Sequence, residues 1–69
     1  MWKKSVYSSN VQEVGYDPDT KELYITWTRG KQSIYAGVPE ELAVDLSNAP
    51  SVGTMLNQEV KPFFSHRYA

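Results

Sequence analysis

Side chains able to do acid–base or nucleophilic chemistry are few and scattered in this sequence. His66 is the sole histidine, cysteine is absent, and no nucleophile motif frames any serine. A hydrolytic triad needs nucleophile, base and orienting acid in mutual reach. His66 would meet Ser8 or Asp17 only through a folding accident that no spacing announces, so it reads as a solvated histidine in a tail and the protein as non-catalytic. Asp17 and Asp19 could share a cation, but two carboxylates without further oxygen ligands make a weak site, and a turn explains both. With one histidine and no thiolate a structural zinc site is excluded too. No cofactor is implied.

Binding chemistry has more to work with. Ser51-Val52-Gly53-Thr54 places hydroxyls and free backbone amides at the start of an expected helix, where the dipole favours a phosphate or carboxylate. The same residues serve a simpler need, Ser51 as a cap and Gly53 for close packing of the helix on a sheet, and this reading comes first. Two tryptophans, five tyrosines and two phenylalanines are many for 69 residues. Rings beside Arg29, Lys61 or Arg67 could stack nucleobases while the cations contact phosphates. Trp27 is assigned to the core by its place in a strand pattern. Tyr16 and Tyr35 divide between core and site, and Tyr7, Tyr24 and Tyr68 are freer to face a partner.

Periodicity gives the scaffold for these groups. Leu23, Ile25 and Trp27 alternate with Tyr24, Thr26 and Thr28, the pattern of a strand with one buried face. Asp17-Pro18-Asp19-Thr20-Lys21 favours a tight reversal, which pairs Val11 to Tyr16 antiparallel with that strand. Gly15 points to a bulge or a close backbone approach, and a bulge would let Val11 and Val14 both face inward. Arg29-Gly30-Lys31 turns into a third strand, Gln32 to Ala36, and Ser5 to Ser8 is a possible fourth. Pro39 suits the first helical position, with Glu40 and Glu41 at the positive end of the helix dipole. Val38, Leu42, Leu46 and Ala49 form a helical stripe. Ser51 then caps a second helix whose Val52, Met55, Leu56 and Val60 share one side. Pro62 ends it and leaves residues 63–69 as a tail.

The chain is expected to form a single domain, residues 1–69, of α+β class: a small antiparallel meander of three to four strands with two short helices packed on one face. So small a core gives roughly 3–5 kcal/mol unless supplemented. With disulfides and zinc excluded, self-association is the expected supplement, through the β-prone Tyr24/Thr26/Thr28 face, and a homo-oligomer is predicted. Seven basic against eight acidic side chains disfavour bulk binding of duplex nucleic acid, which calls for a basic surplus. No apolar run reaches membrane length, so no membrane partner and a cytoplasmic location are expected.

Four islands occur in one order: Ser8-Ser9, Val14-Gly15-Tyr16-Asp17-Pro18, Val38-Pro39, and Ala49-Pro50-Ser51-Val52-Gly53 followed by Asn57. Together they resemble the KTSC domain, a family named for the carboxy-terminal extension of some lysyl-tRNA synthetases and found also as small stand-alone proteins of bacteria and phages. In the second helix such proteins tend to read Ala-x-Ser-Lys-Gly-Arg-x-Phe-Asn-x-x-Ile-Arg. Here the basic set is largely replaced, with Val52, Thr54, Leu56, Gln58 and Val60 in the region, and only Ser51, Gly53, Asn57 and Lys61 carry over. The family also often shows Tyr-x-Tyr before Val-Pro, where this chain has Ser33-Ile34-Tyr35, a missing ring that leaves room for a ligand or for a neighbour. The resemblance to a family connected with RNA machinery and phages, the near-neutral charge and the aromatics together give the expected function. It is a binding module that sequesters a nucleotide or small cyclic oligonucleotide at a subunit interface, as a phage counter-defence protein would. The alternatives are an accessory domain for single-stranded RNA or DNA and a protein-interaction module. The residues expected at the ligand are Tyr7, Ser8, Tyr16, Arg29, Tyr35, Ser51, Gly53, Asn57, Lys61 and Arg67.

Overall fold

The Leu23/Ile25 alternation builds the centre of the molecule. In a computed structural model, which describes residues 1–69, Glu22–Trp27 is the middle strand of a five-stranded antiparallel sheet. The strands are β1 (Trp2–Ser5), β2 (Val11–Asp17), β3 (Glu22–Trp27), β4 (Gln32–Tyr35) and β5 (His66–Tyr68), and they lie side by side in chain order. The α+β class stands, but the expected three to four strands are five. The strand expected over Ser5 to Ser8 lies earlier, at β1, and the expected tail returns as β5 against β4.

The turns use the chemistry of their residues. Asp17 accepts the amide of Asp19 on its side-chain oxygen at 3.0 Å and that of Lys21 on its carbonyl at 2.8 Å. Lys21 takes a positive φ of 59° to close this reversal. Gly30, at φ 90°, turns β3 into β4, a conformation that costs a residue without a Cβ nothing. A bulge does bring Val11 and Val14 to the same side, but it sits between Val11 and Glu13 rather than at Gly15.

Register sorts the side chains. Tyr16 opposes Leu23, Leu23 opposes Tyr35, Val14 opposes Ile25 and Ile25 opposes Ser33, so these share one inner face. Helix α1 (Glu40–Ser47) and the shorter α2 (Val52–Met55) come after the sheet's first four strands, and α1 contacts β2. Pro39 stands just before α1 in extended backbone rather than in its first turn. The expected stripe is rotated, because Ala43, Leu46 and Ser47 are the buried residues of α1 while Leu42 is only partly covered. Val38, Leu46, Val52, Leu56 and Val60 join Val14, Tyr16, Leu23 and Ile25 in one buried cluster. Each fully buried aliphatic side chain contributes roughly 1.5–3 kcal/mol relative to exposure.

The second helix changes pitch partway. Leu56–Val60 is a π-helical turn, in which the Lys61 amide donates to the Leu56 carbonyl at 2.9 Å. The wider turn adds a residue and so rotates the chain beyond it. It keeps Val52, Leu56 and Val60 buried and presents Lys61 to the sheet just beyond the covered core.

Candidate functional site

The helices do not cover the whole inner face. Trp27 opposes Val11, Tyr68 opposes Ser33 and His66 opposes Tyr35, so Trp27, His66 and Tyr68 continue the face that buries Leu23 and Ile25. Yet Trp27 is half-buried, and His66 and Tyr68 are exposed. Trp27 does pack against the buried cluster, as its assignment to the core expects, but it is covered on only part of its surface. Its ring forms the wall where coverage stops.

At this wall the side chains make a shallow aromatic trough. The Tyr35 and His66 rings stack with centroids 5.0 Å apart and planes at 28°. Tyr68 meets His66 edge-on at 4.6 Å. The Trp27 indole N–H donates to the Ser33 hydroxyl at 2.7 Å. Lys61 Nζ lies 5.6 Å from the Trp27 ring centroid, and Lys31 Nζ lies 6.0 Å from that of Tyr68. Both are cation–π distances.

Three adjoining cavities share Tyr68 as a wall. One of about 280 Å³ lies among Trp27, Ser33, Tyr35, Lys61, His66 and Tyr68. Another of about 350 Å³ reaches Asn10, Arg29 and Lys31. The third, about 650 Å³, runs past Gly30, Lys31 and Gln32. No aspartate or glutamate side chain lines any of them. The single salt bridge of the molecule joins Arg67 to Glu22, so Arg29, Lys31 and Lys61 carry uncompensated positive charge into the trough. Burial, and then the neighbouring Tyr68, push the Tyr35 hydroxyl above its ordinary range.

Of the residues expected at a ligand, Arg29, Tyr35 and Lys61 converge here, while the others lie elsewhere. Tyr16 is a core residue, 1% exposed, whose hydroxyl donates to the Val38 carbonyl at 2.5 Å. Burial, reinforced by Glu40 and Asp17, raises its pKa. Arg67 sits on the opposite face of the sheet, across from Ile34, where it binds Glu22 at 2.6 Å. That hydrogen bond and a second from the Tyr24 hydroxyl hold the Glu22 carboxyl below its usual range.

Ser51 accepts the Thr54 amide at 3.4 Å and donates to the Thr54 hydroxyl at 2.9 Å, which identifies it as a cap. Gly53 is not needed for tight packing, since a Cβ there would meet nothing nearer than the Ser8 hydroxyl at 3.9 Å. Tyr7 is fully exposed, and it flanks a separate cavity with Asn48 and Pro50. Asn57 is exposed on the π turn. None of Tyr7, Ser8, Ser51, Gly53 and Asn57 lines the trough.

Four of the rings and cations of the trough are missing from the expected ligand residues: Trp27, Lys31, His66 and Tyr68, the last read only as free to face a partner. The signal that finds them is β5. Once residues 66–68 pair with β4, His66 and Tyr68 must share a face with Tyr35 and Trp27. The arrangement offers planar rings and cations, which suits an aromatic anion. The structure brings no three metal-ligating side chains of the His, Cys, Asp or Glu type together, and no helix is long and apolar enough to cross a membrane.

Comparison with known proteins places the chain. The family model described as the KTSC domain matches residues 7–64. A protein of Tsukamurella paurometabola is 41% identical over 59 residues, which cover 86% of this chain and 88% of that one. An uncharacterized protein of Stutzerimonas stutzeri is 34% identical over 62 residues, 90% of this chain and 87% of its own. The crystal structure of a KTSC domain protein from Yersinia pestis superposes with a TM-score of 0.88 at 32% identity, covering 99% of this chain and 96% of that one.

Proposed function

We propose that this chain, which belongs to the KTSC domain family, is a non-catalytic binding module that captures a nucleotide-type ligand in the trough beside Trp27 and Tyr68. One observation carries the reading. Four aromatic rings and three cations without an acidic partner line adjoining cavities on a sheet face that the helices leave open, with no carboxylate side chain among them. A nucleobase stacks on a ring whatever its identity, and such stacking contributes about 1–3 kcal/mol per base. Tyr68, 67% exposed, has a face free for it. Lys61, Arg29 and Lys31 then take the phosphate, and a ligand with few phosphates needs only these few charges despite the net charge of −1.

Thermal-shift and calorimetric titration with nucleoside monophosphates, cyclic dinucleotides and duplex DNA tests the proposal. A bound nucleotide at a hundred times its Kd raises apparent stability by about 2.7 kcal/mol. Tyr68→Ala is expected to abolish that gain while the free protein melts nearly as before. A parent protein that binds no nucleotide rules the reading out. One ligand per chain is the expected stoichiometry. Self-association is assigned to the opposite face around Tyr24 and Thr26, and light scattering on dilution measures it.

A further inference from the structure

The cations of the trough are not clustered. Lys61 lines one cavity, held over Trp27 by the end of the π turn. Arg29 and Lys31 line another, on the turn between β3 and β4. Trp27 and Tyr68 are the two walls that these cavities share. The cavities nearest Lys61 and Arg29, about 280 and 350 Å³, fall at the bottom of the range of small-molecule sites, roughly 300–1,000 Å³. A ligand that reaches the cations of both cavities must therefore extend past the shared Trp27 and Tyr68 rings rather than sit in one cavity.

Building on the nucleotide-binding reading, we infer that the preferred ligand carries phosphates on both sides of a stacked base. That is the repeating unit of single-stranded nucleic acid and of small linked oligonucleotides. A nucleotide whose phosphates are joined in a row at one end has the same charge but cannot place it at both ends of the trough. Charge placement, rather than charge count, then sets affinity. The Lys61 side uses an ammonium over an indole, and the Arg29 side offers the planar fork that grips a phosphate with two N–H groups.

The test compares a nucleoside 3′,5′-bisphosphate with the 5′-diphosphate and the 5′-monophosphate of the same base, by calorimetry at two salt concentrations. The bisphosphate is expected to bind about fivefold more tightly than the diphosphate, the gain available from one further exposed ion pair. Lys61→Gln and Arg29→Gln should each bring the bisphosphate and the diphosphate to equal affinity, with the melting temperature of the free protein unchanged. Equal affinity for bisphosphate and diphosphate overturns the two-ended site but leaves a nucleotide site standing. Failure of all three to bind overturns both. A longer single strand separates the natural sources of this chemistry: binding that is tighter than the bisphosphate and falls more steeply with salt identifies a strand, and weaker binding identifies a free small oligonucleotide.

Discussion

The inner face of the sheet has two halves that obey the same rule and end differently. Under the helices, Val14, Tyr16, Leu23 and Ile25 are at most 1% exposed. Past Ile25 the same alternation continues through Trp27 and, across β4, to His66 and Tyr68, yet Trp27 is only half covered and the other two rings are exposed. Period two decides which side of the sheet a residue takes, and the reach of the helices decides whether that side is core or site. The short α2 and its π turn stop at Val60, so the surface beyond is aromatic, with Lys61 at its border.

Substitutions on the two halves should separate sharply, and the largest effect belongs to the covered half. Leu23→Ala is expected to cost about 2–5 kcal/mol, enough to leave much of so small a domain unfolded at ambient temperature. Tyr68→Ala on the open half should cost within about 0.5 kcal/mol. Urea denaturation of the two variants measures the contrast, and a Tyr68→Ala protein as unstable as Leu23→Ala would place Tyr68 in the core.

Trp27, on the boundary, should show both characters. Trp27→Ala removes a half-buried ring, and a cost of about 2 kcal/mol is expected, below the range for a fully buried one. Nucleotide affinity should fall with it. Loss of stability with unchanged affinity would draw the boundary one strand position further out.

Ser51 offers the converse control, because it belongs to the motif and not to the trough. Ser51→Ala should lower stability by about 1 kcal/mol through loss of the cap and leave nucleotide titrations unchanged. A selective loss of affinity would move the site to the start of α2.

The smallest effect lies on the far side of the sheet. Hydrogen bonds from Arg67 and Tyr24 lower the folded pKa of Glu22, so this group adds stability above the carboxylate's unfolded pKa and loses it as pH falls through the lower folded value. Glu22→Gln should flatten that acid limb slightly in pH-dependent melting, without altering binding at neutral pH. An acid limb identical to the parent's would show that the exposed pair contributes nothing measurable.

Much of the covered half is legible without coordinates. The alternation of β3, the Asp17-Pro18 and Gly30 turns, the Ser51 cap and the burial of Val52, Leu56 and Val60 each rest on chemistry contained in a few neighbouring residues. Local φ, ψ and hydrogen-bonding preferences act over that range, and the chain spells them out. The site was only partly legible. Arg29, Tyr35 and Lys61 stand out as rings and charges, but nothing local distinguishes Arg67, which faces the other way, or marks Tyr16 as core.

Two features belong to tertiary structure alone: the return of His66–Tyr68 as the edge strand, and the line at which helix coverage ends. β5 has three residues and no buried side chain. It is held by main-chain hydrogen bonds to β4, flanked by those from Ala36 to Ser65 and from Ala69 to Gln32 at 3.0 Å each, and such bonds form with almost any side chain and so leave no pattern in sequence. The extent of coverage depends on helix length, on the π turn and on how α1 and α2 lie across the sheet. These are properties of packed elements, and they leave a run of residues on one strand face as core at one end and open surface at the other.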